Sequence, residues 1–379
     1  MHQRRLKMNK GQLNRREFMR NSMYAGAALT FGSSTSKADE IVDSKQSGAT
    51  TLPLASRNFM KMVGIKYPII QAPASGPATA VLASAVAEKG ALGGLPLTWH
   101  APDEAFKDVK NVQMVTKGAF FANYVLNFEP VSLDKTLDAG VKIVQFSWGI
   151  PNQKISNKVK GADVLMGVQV TSEASAQAAL DAGADYLVCQ GMEAGGHVHA
   201  SRPLTEALQR VLSVAGDVPV VASGGIASGK DMVKYLNLGA AAVVMGSRFV
   251  ATLESNAHQD YKEALVKANS DDTVFTSCMN KGWTNATHRI IRNQTFENWE
   301  AAGCPKIGSR PGENDVVAYY AQGSKVSRYS ITPPSRSLSG EVTETAMYAG
   351  KGVENIHDIP SVSEVIDRLW SEYQQGRLL

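Results

Sequence analysis

The stretch Pro219–Phe249, PVVASGGIASGKDMVKYLNLGAAAVVMGSRF, decides the fold. It opens with a short apolar run, Pro219–Ser223, that stops at Gly224-Gly225. A helical stretch follows, Lys230–Gly239, ending on a glycine of the kind that closes helices. A second apolar run, Ala241–Gly246, again stops at a glycine before a helical segment. Neither run alternates apolar with polar residues. Such runs are strands buried on both faces, the mark of a parallel sheet covered by helices.

The same unit repeats upstream. KYPIIQA (Lys66–Ala72), GAFFANYV (Gly118–Val125), VKIVQFSWG (Val141–Gly149), VLMGVQV (Val164–Val170) and DYLVCQ (Asp185–Gln190) read as strands. TAVLASAVAEKG (Thr79–Gly90) and TSEASAQAALDAG (Thr171–Gly183) read as helices, the second capped by Thr171 or Ser172 and stopped by Gly183. With GALGG (Gly90–Gly94) counted as a strand, there are about eight βα units in roughly 200 residues, which predicts a TIM barrel. An open doubly wound sheet is the alternative.

From Asn256 to Tyr348 the strand pattern stops, helical stretches such as Lys262–Lys267 and Asn298–Ala302 appear, and Gln322–Gly340 is rich in Ser, Pro and Gly. The expected organisation is a leader over residues 1–38 and a linker over 39–55. The barrel follows over 56–255, then a smaller helix-rich subdomain or lid over 256–348. A C-terminal segment, 349–379, returns to the barrel, with Val362, Val365, Ile366, Leu369 and Trp370 on one helix face.

The net charge of +4 conceals a division. Residues 1–38 hold eight basic side chains and one acid, Glu17, which leaves the rest of the chain at about −3. The folded part therefore gives no reason to expect nucleic-acid binding. The leader combines Arg15-Arg16, Phe18, a short apolar run (Ser22–Gly32) and small residues at Ser36 and Ala38. This looks like a twin-arginine export signal, so the twin-arginine translocation machinery is an expected partner and the periplasm the expected location. The apolar run is too short for a stable membrane anchor. Cys189 reads as packing; Cys278 and Cys304 are the two that an oxidising compartment would allow to pair.

Active sites of such barrels lie where strands end. Gly224-Gly225 and Gly246-Ser247, at consecutive strand ends before helices, predict a phosphate cup of backbone N–H groups, with Arg248 available to balance charge. After Gln190 comes GMEAGGHVH, three glycines, one glutamate and two histidines. His197 is the candidate acid–base group, since an ordinary imidazole titrates near neutrality. Glu193 reads as orienting a loop amide or the histidine, or as merely exposed. His197-x-His199 has metal-ligand spacing, but the other strand ends read here supply no Asp, Glu or His to complete a metal site.

The motifs YPIIQAP, QGMEAGGH, PVVASGGI, GAAAVVMGSRFVATLES and YAGKGVENIHDIP resemble the nitronate monooxygenase family, once called 2-nitropropane dioxygenases. They run from Tyr67 to Pro360, and QGMEAGGH is the most specific. The resemblance implies an FMN-dependent TIM barrel, a fold shared with flavin-dependent enoyl-ACP reductases. It implies that Ala72, Pro73 and Ala74 lie beside the flavin ring. Asn123 and Gln190 would bond its polar edge, and Gly195 would let it come close. Gly224, Gly225, Val244, Met245, Gly246 and Ser247 would hold its phosphate, and His197 would act over its reactive face. Two departures stand out: Ala74 where the family usually has Met, and Ser247 where Thr is common. The implied reaction is oxidation of an alkyl nitronate, with O2, to a carbonyl compound and nitrite. The alternatives are an NAD(P)H-dependent quinone or enoyl-thioester reductase on the same FMN barrel, and an exported phosphate-ligand binding protein without turnover.

Overall fold

The structure, a computed structural model, describes residues 52–378, so the expected leader and most of the linker lie outside the described residues. The residues from Leu52 onward form one compact unit. Helix α1 (Leu54–Val63) precedes strand β1 (Ile69–Gln71). Alternating units follow: α2 (Ala80–Lys89), β2 (Gly93–Pro96), α3 (Pro102–Val115), β3 (Phe120–Val125), α4 (Leu133–Asp138) and β4 (Ile143–Ser147). Then come α5 (Gln153–Gly161), β5 (Leu165–Val170), α6 (Glu173–Asp181), β6 (Tyr186–Gln190) and a two-residue strand, β7 (Gly196–His197). The series ends with α7 (Leu204–Ala215), β8 (Val220–Ser223), α8 (Gly229–Asn237), β9 (Ala242–Met245) and the single turn α9 (Ser247–Val250).

All strands but β7 join one parallel sheet in the order β1-β9-β8-β6-β5-β4-β3-β2. Its ends meet: Gln71 N donates to Leu92 O (3.0 Å), Leu92 N donates to Ile69 O (3.0 Å), and Gly94 N donates to the Gln71 side chain (2.8 Å). The sheet is therefore a (β/α)8 barrel, and the GALGG reading supplied its second strand. Where the strands begin, Phe59 and Val63 of α1 pack onto Ile70, Phe121, Ile143 and Val244, with Phe59 edge-on to Tyr186 at 5.5 Å. That apolar plug leaves only the opposite, C-terminal mouth for a ligand.

The segment after α9 contains helices α10 (Gln259–Lys267) and α11 (Gln294–Ala301), and it is built from strands as well. Strands β10 (Thr273–Thr276) and β11 (His288–Ile291) pair antiparallel, and β11 also pairs with β7, placing His288 opposite His197. A second small sheet joins β12 (Val316–Tyr320) to β13 (Lys325–Ser327) and β14 (Leu338–Gly340). Cys278 and Cys304 do not pair: the first is buried, the second exposed, and both are free thiols. The last helix, α12 (Val362–Gly376), packs against α8 and α2, with Val362, Val365, Ile366, Leu369 and Tyr373 buried. Its Glu372 accepts from Gly229 N at 2.7 Å, fixing the start of α8.

Candidate active site

A cavity of about 710 Å³ opens at the C-terminal mouth, a volume suited to a cofactor plus a small substrate. Its floor is built from carboxamides. Strands β3, β4, β5 and β6 each bring one to the cavity wall: Asn123, Gln145, Gln169 and Gln190. The Asn123 amide lies within hydrogen-bond distance of Ser147 Oγ (3.3 Å) and Gln145 Nε2 (3.2 Å). Such groups offer donors and acceptors without charge, which suits the edge of a planar heterocycle. Gln190 is half committed already. Its Nε2 donates to His197 O (3.2 Å) and its Oε1 accepts from His199 N (3.2 Å), so it braces the loop that carries the histidines.

At the other end lie the glycines of β8 and β9. Gly224 and Gly225 have φ of +133° and +67°, a region that side-chain-bearing residues rarely adopt. The amides of Gly224, Gly225, Gly246 and Ser247 find no acceptor in the protein among the described residues. Four neighbouring backbone donors without partners at a cavity wall mark an anion site. Ser247 Oγ accepts from Gly350 N (3.0 Å) and keeps its own proton to donate. Ala72, Pro73, Ala74, Gly195 and Val244 also line the cavity.

Two expected contributors are elsewhere. The Met245 side chain is buried in the barrel wall, because alternation along β9 turns Val244 inward; its carbonyl accepts from Ala72 N (2.9 Å). Arg248 does not balance charge in the cavity. Its guanidinium donates to Ala251 O (2.8 Å) and Asp358 O (2.8 Å), pinning the C-terminal segment. Gly195 is tight for a reason other than a flavin: a Cβ there would lie 2.3 Å from Gly350 N.

His197 stands at the wall between floor and mouth. Its ring stacks on Trp283 (4.4 Å, 29°) and meets Tyr348 (5.2 Å) and Trp148 (6.2 Å). Nε2 has no hydrogen-bond partner among the described residues. Burial, with a smaller contribution from His288, pushes the imidazole down to about 3. This corrects the expectation of titration near neutrality: crowding by protein atoms makes the charged form unfavourable, and the ring is neutral at physiological pH. His288 is neutral for a structural reason. Its Nδ1 bonds Ala286 O (2.9 Å) and its Nε2 accepts from Met279 N (3.1 Å), while burial lowers it to about 4. Glu193 accepts from Leu204 N (2.9 Å), capping α7, so it orients a loop amide rather than the histidine. His199 packs on Trp148 (5.0 Å) outside the cavity lining. Among the described residues no group of three His, Cys, Asp or Glu is placed to hold a metal.

Several site residues went unread in the sequence. Gln145 and Gln169 interrupt apolar strands as Gln190 does, and that signal was available. Trp148, Trp283 and Tyr348 lie in turns and irregular chain, where no periodicity announces them. Among the described residues, the lining holds no Asp, Glu, Lys or Arg. Uncharged amides at one end, orphaned backbone donors at the other and a neutral histidine between them fit a planar heterocycle joined to an anionic group.

The nitronate monooxygenase family model matches residues 56–132 and 127–372. A nitronate monooxygenase from Pseudomonas aeruginosa is 31% identical over 306 residues, covering 68% of this chain and 86% of that protein. One from Paraburkholderia phytofirmans is 29% identical over 367 residues, covering 84% and 96%. Among solved structures, FabK from Thermotoga maritima superposes with a TM-score of 0.68 at 28% identity, covering 84% of this chain and 96% of that one. A nitroalkane oxidase from Streptomyces ansochromogenes, at 24% identity and a TM-score of 0.67, covers 84% and 98% and shares the fold.

Proposed function

The chain belongs to the nitronate monooxygenase family, and from that premise we propose that it oxidises nitronates with O2, using FMN, to a carbonyl compound and nitrite. Membership makes it an oxidoreductase and implies a flavin, which sets aside a binding protein without turnover. In the simplest balance, two nitronate anions and one O2 give two carbonyl compounds and two nitrites: each carbon gains an oxygen and loses its C–N bond. FMN, when bound, supplies the one- and two-electron chemistry.

The observation that carries the reading is the uncharged cavity with its two dissimilar ends. Asn123, Gln145 and Gln169 face one end as ring-edge partners. The free amides of Gly224, Gly225, Gly246 and Ser247, with the Ser247 hydroxyl, hold one phosphate at the other. Ala72, Pro73 and Ala74 form the side wall, their backbone fixed on β9 through Ala72 N. His197, neutral and unpartnered, donates a hydrogen bond to an oxygen of the bound nitronate. A base as weak as about 3 is poorly matched to removing a carbon-bound proton, so the substrate enters as the preformed anion.

A second reading, an NAD(P)H-dependent reductase, draws on the similarity to FabK. Among the described residues no cation lines the cavity, which speaks against it, because pyrophosphate recognition favours Arg and Lys. Cofactor extraction with mass analysis should return FMN; FAD would contradict the single-phosphate cup. Anaerobic mixing should show the flavin bleached by a nitronate and not by NADH. The reverse result replaces the first reading with the second. Export to the periplasm by the twin-arginine machinery rests on the leader alone. Arg15→Lys with Arg16→Lys should then retain the protein in the cytoplasm; a fractionation showing normal export would end that part of the proposal.

A further inference from the structure

The outer half of the cavity differs in kind from its floor. Three tryptophans from distant parts of the chain converge there: Trp99 after β2, Trp148 after β4 and Trp283 between β10 and β11. They form a continuous aromatic shelf. Trp99 meets Phe128 edge-on (4.2 Å), Phe128 meets Trp283 (5.2 Å), and Trp283 meets Trp148 (4.6 Å) before stacking on His197. Trp99 is left 50% exposed at the mouth. Trp148 holds a left-handed backbone, φ +55°, which is costly for a bulky residue and is found where surrounding structure enforces it for function.

We propose that this shelf is a subsite for a planar aromatic group, so that the preferred substrates are nitronates carrying an aryl ring near the reacting carbon. This rests on the nitronate reading of the same site. Ring faces and edges attract one another through their quadrupoles beyond what burial of equal area provides. A saturated chain would gain the burial and lose that part. The uncharged lining adds to the argument, because it offers no cation to a second anionic group on the substrate, which leaves shape and aromatic character as the means of discrimination. The shelf ends on His197, so a ring lying on it brings its nitronate within reach of the imidazole.

The test compares two nitronates of equal carbon count, from 2-phenylnitroethane and 2-cyclohexylnitroethane, on the flavin-loaded protein. The aryl compound should have the higher kcat/KM by about tenfold, equivalent to about 1.4 kcal/mol. Trp99→Leu, which keeps apolar bulk and removes the π face, should bring that ratio close to one. Equal rates in the wild type, or a ratio that Trp99→Leu does not move, would overturn the proposal while leaving nitronate oxidation standing. Calorimetric titration with 2-naphthol and with its saturated analogue, decahydro-2-naphthol, reads the subsite without turnover. Saturable binding of the aromatic compound alone, weakened about tenfold in Trp99→Leu, is expected. Such binding in a protein that oxidises no nitronate would refute the functional reading and keep the subsite. No binding of 2-naphthol would refute the subsite.

Discussion

The floor and the mouth of the cavity are made by different means. Floor residues are carried by the barrel strands themselves, where the parallel ladder fixes them: Asn123, Gln145 and Gln190 are almost fully buried, and the β3–β4 register sets Asn123 beside Gln145. The mouth is assembled from turns and from the segment after α9, whose sheets have three strands each. The barrel can therefore hold a rigid ring, while the mouth can change between relatives without disturbing it. His197 belongs to both. It sits on the loop after β6, yet β7 pairs with β11, so the outer segment fixes the position of the group that acts on the floor.

The largest expected effect breaks that link. His197→Ala removes a hydrogen-bond donor to a charged substrate, and the rate of flavin reduction by a nitronate should fall by about 10²–10³. Flavin content should stay near wild type, because the glycine cup and carboxamides are untouched. Stopped-flow absorbance gives the rate and a spectrum of the purified protein gives the occupancy. Loss of flavin along with activity would mean that the histidine is part of the floor.

Acid should act on the outer segment next. His288 is neutral in the fold and lowered to about 4, so between its ordinary value near 6.5 and about 4 the unfolded chain binds more protons than the folded one. Stability is thus complete above about 6.5 and is lost as pH falls, by about 3 kcal/mol once below 4. His197, lowered to about 3, adds loss in the same direction. Urea titrations at pH 7.5, 5.5 and 4 measure this, and His288→Gln should flatten the dependence. An unchanged slope in that variant would place the acid sensitivity elsewhere.

These two regions also differ in how far the sequence reveals them. The barrel is legible because buried parallel strands are short apolar runs and because glycine marks their ends: Gly224, Gly225 and Gly246 could be read directly. Met245 escaped correct placement because a fully buried strand carries no alternation to tell its two faces apart. Arg248 lies on the single helical turn α9, too short to show a face, so its direction could not be read either. In the outer segment, β11 has four residues and β14 three, as short as β8 and β1, but no repeated strand–helix unit surrounds them to mark them as strands, and Trp283 lies among Gly282, Thr284 and Asn285 without a period. Nor does sequence show burial, so the neutral state of His197 waited for the atoms around it.

A smaller effect tests what Gly195 is for. A side chain there meets the backbone of Ala349 and Gly350, both of which would have to move. Gly195→Ala should lower unfolding stability by about 2–3 kcal/mol even without flavin. If the variant is as stable as wild type when empty and only binds flavin weakly, the glycine serves the cofactor instead of the packing.

The smallest effect is expected two residues from the largest. His199 shares the loop and even the Trp148 ring with His197, yet it does not line the cavity. Its tie to the floor is through its backbone, since His199 N donates to Gln190 Oε1. Burial lowers its titration, so it too is biased toward the neutral form. His199→Asn keeps the backbone bond and a polar side chain of similar reach, and loses only the edge contact with Trp148. Nitronate turnover should drop less than tenfold, equivalent to under about 1.4 kcal/mol. Any loss should appear in KM rather than in kcat, because Trp148 shapes the mouth and the backbone bond from His199 to the floor is kept in the variant. If His199→Asn costs kcat as much as His197→Ala does, then position on the loop, not contact with the cavity, decides which histidine acts, and the division between floor and mouth fails at its central residue.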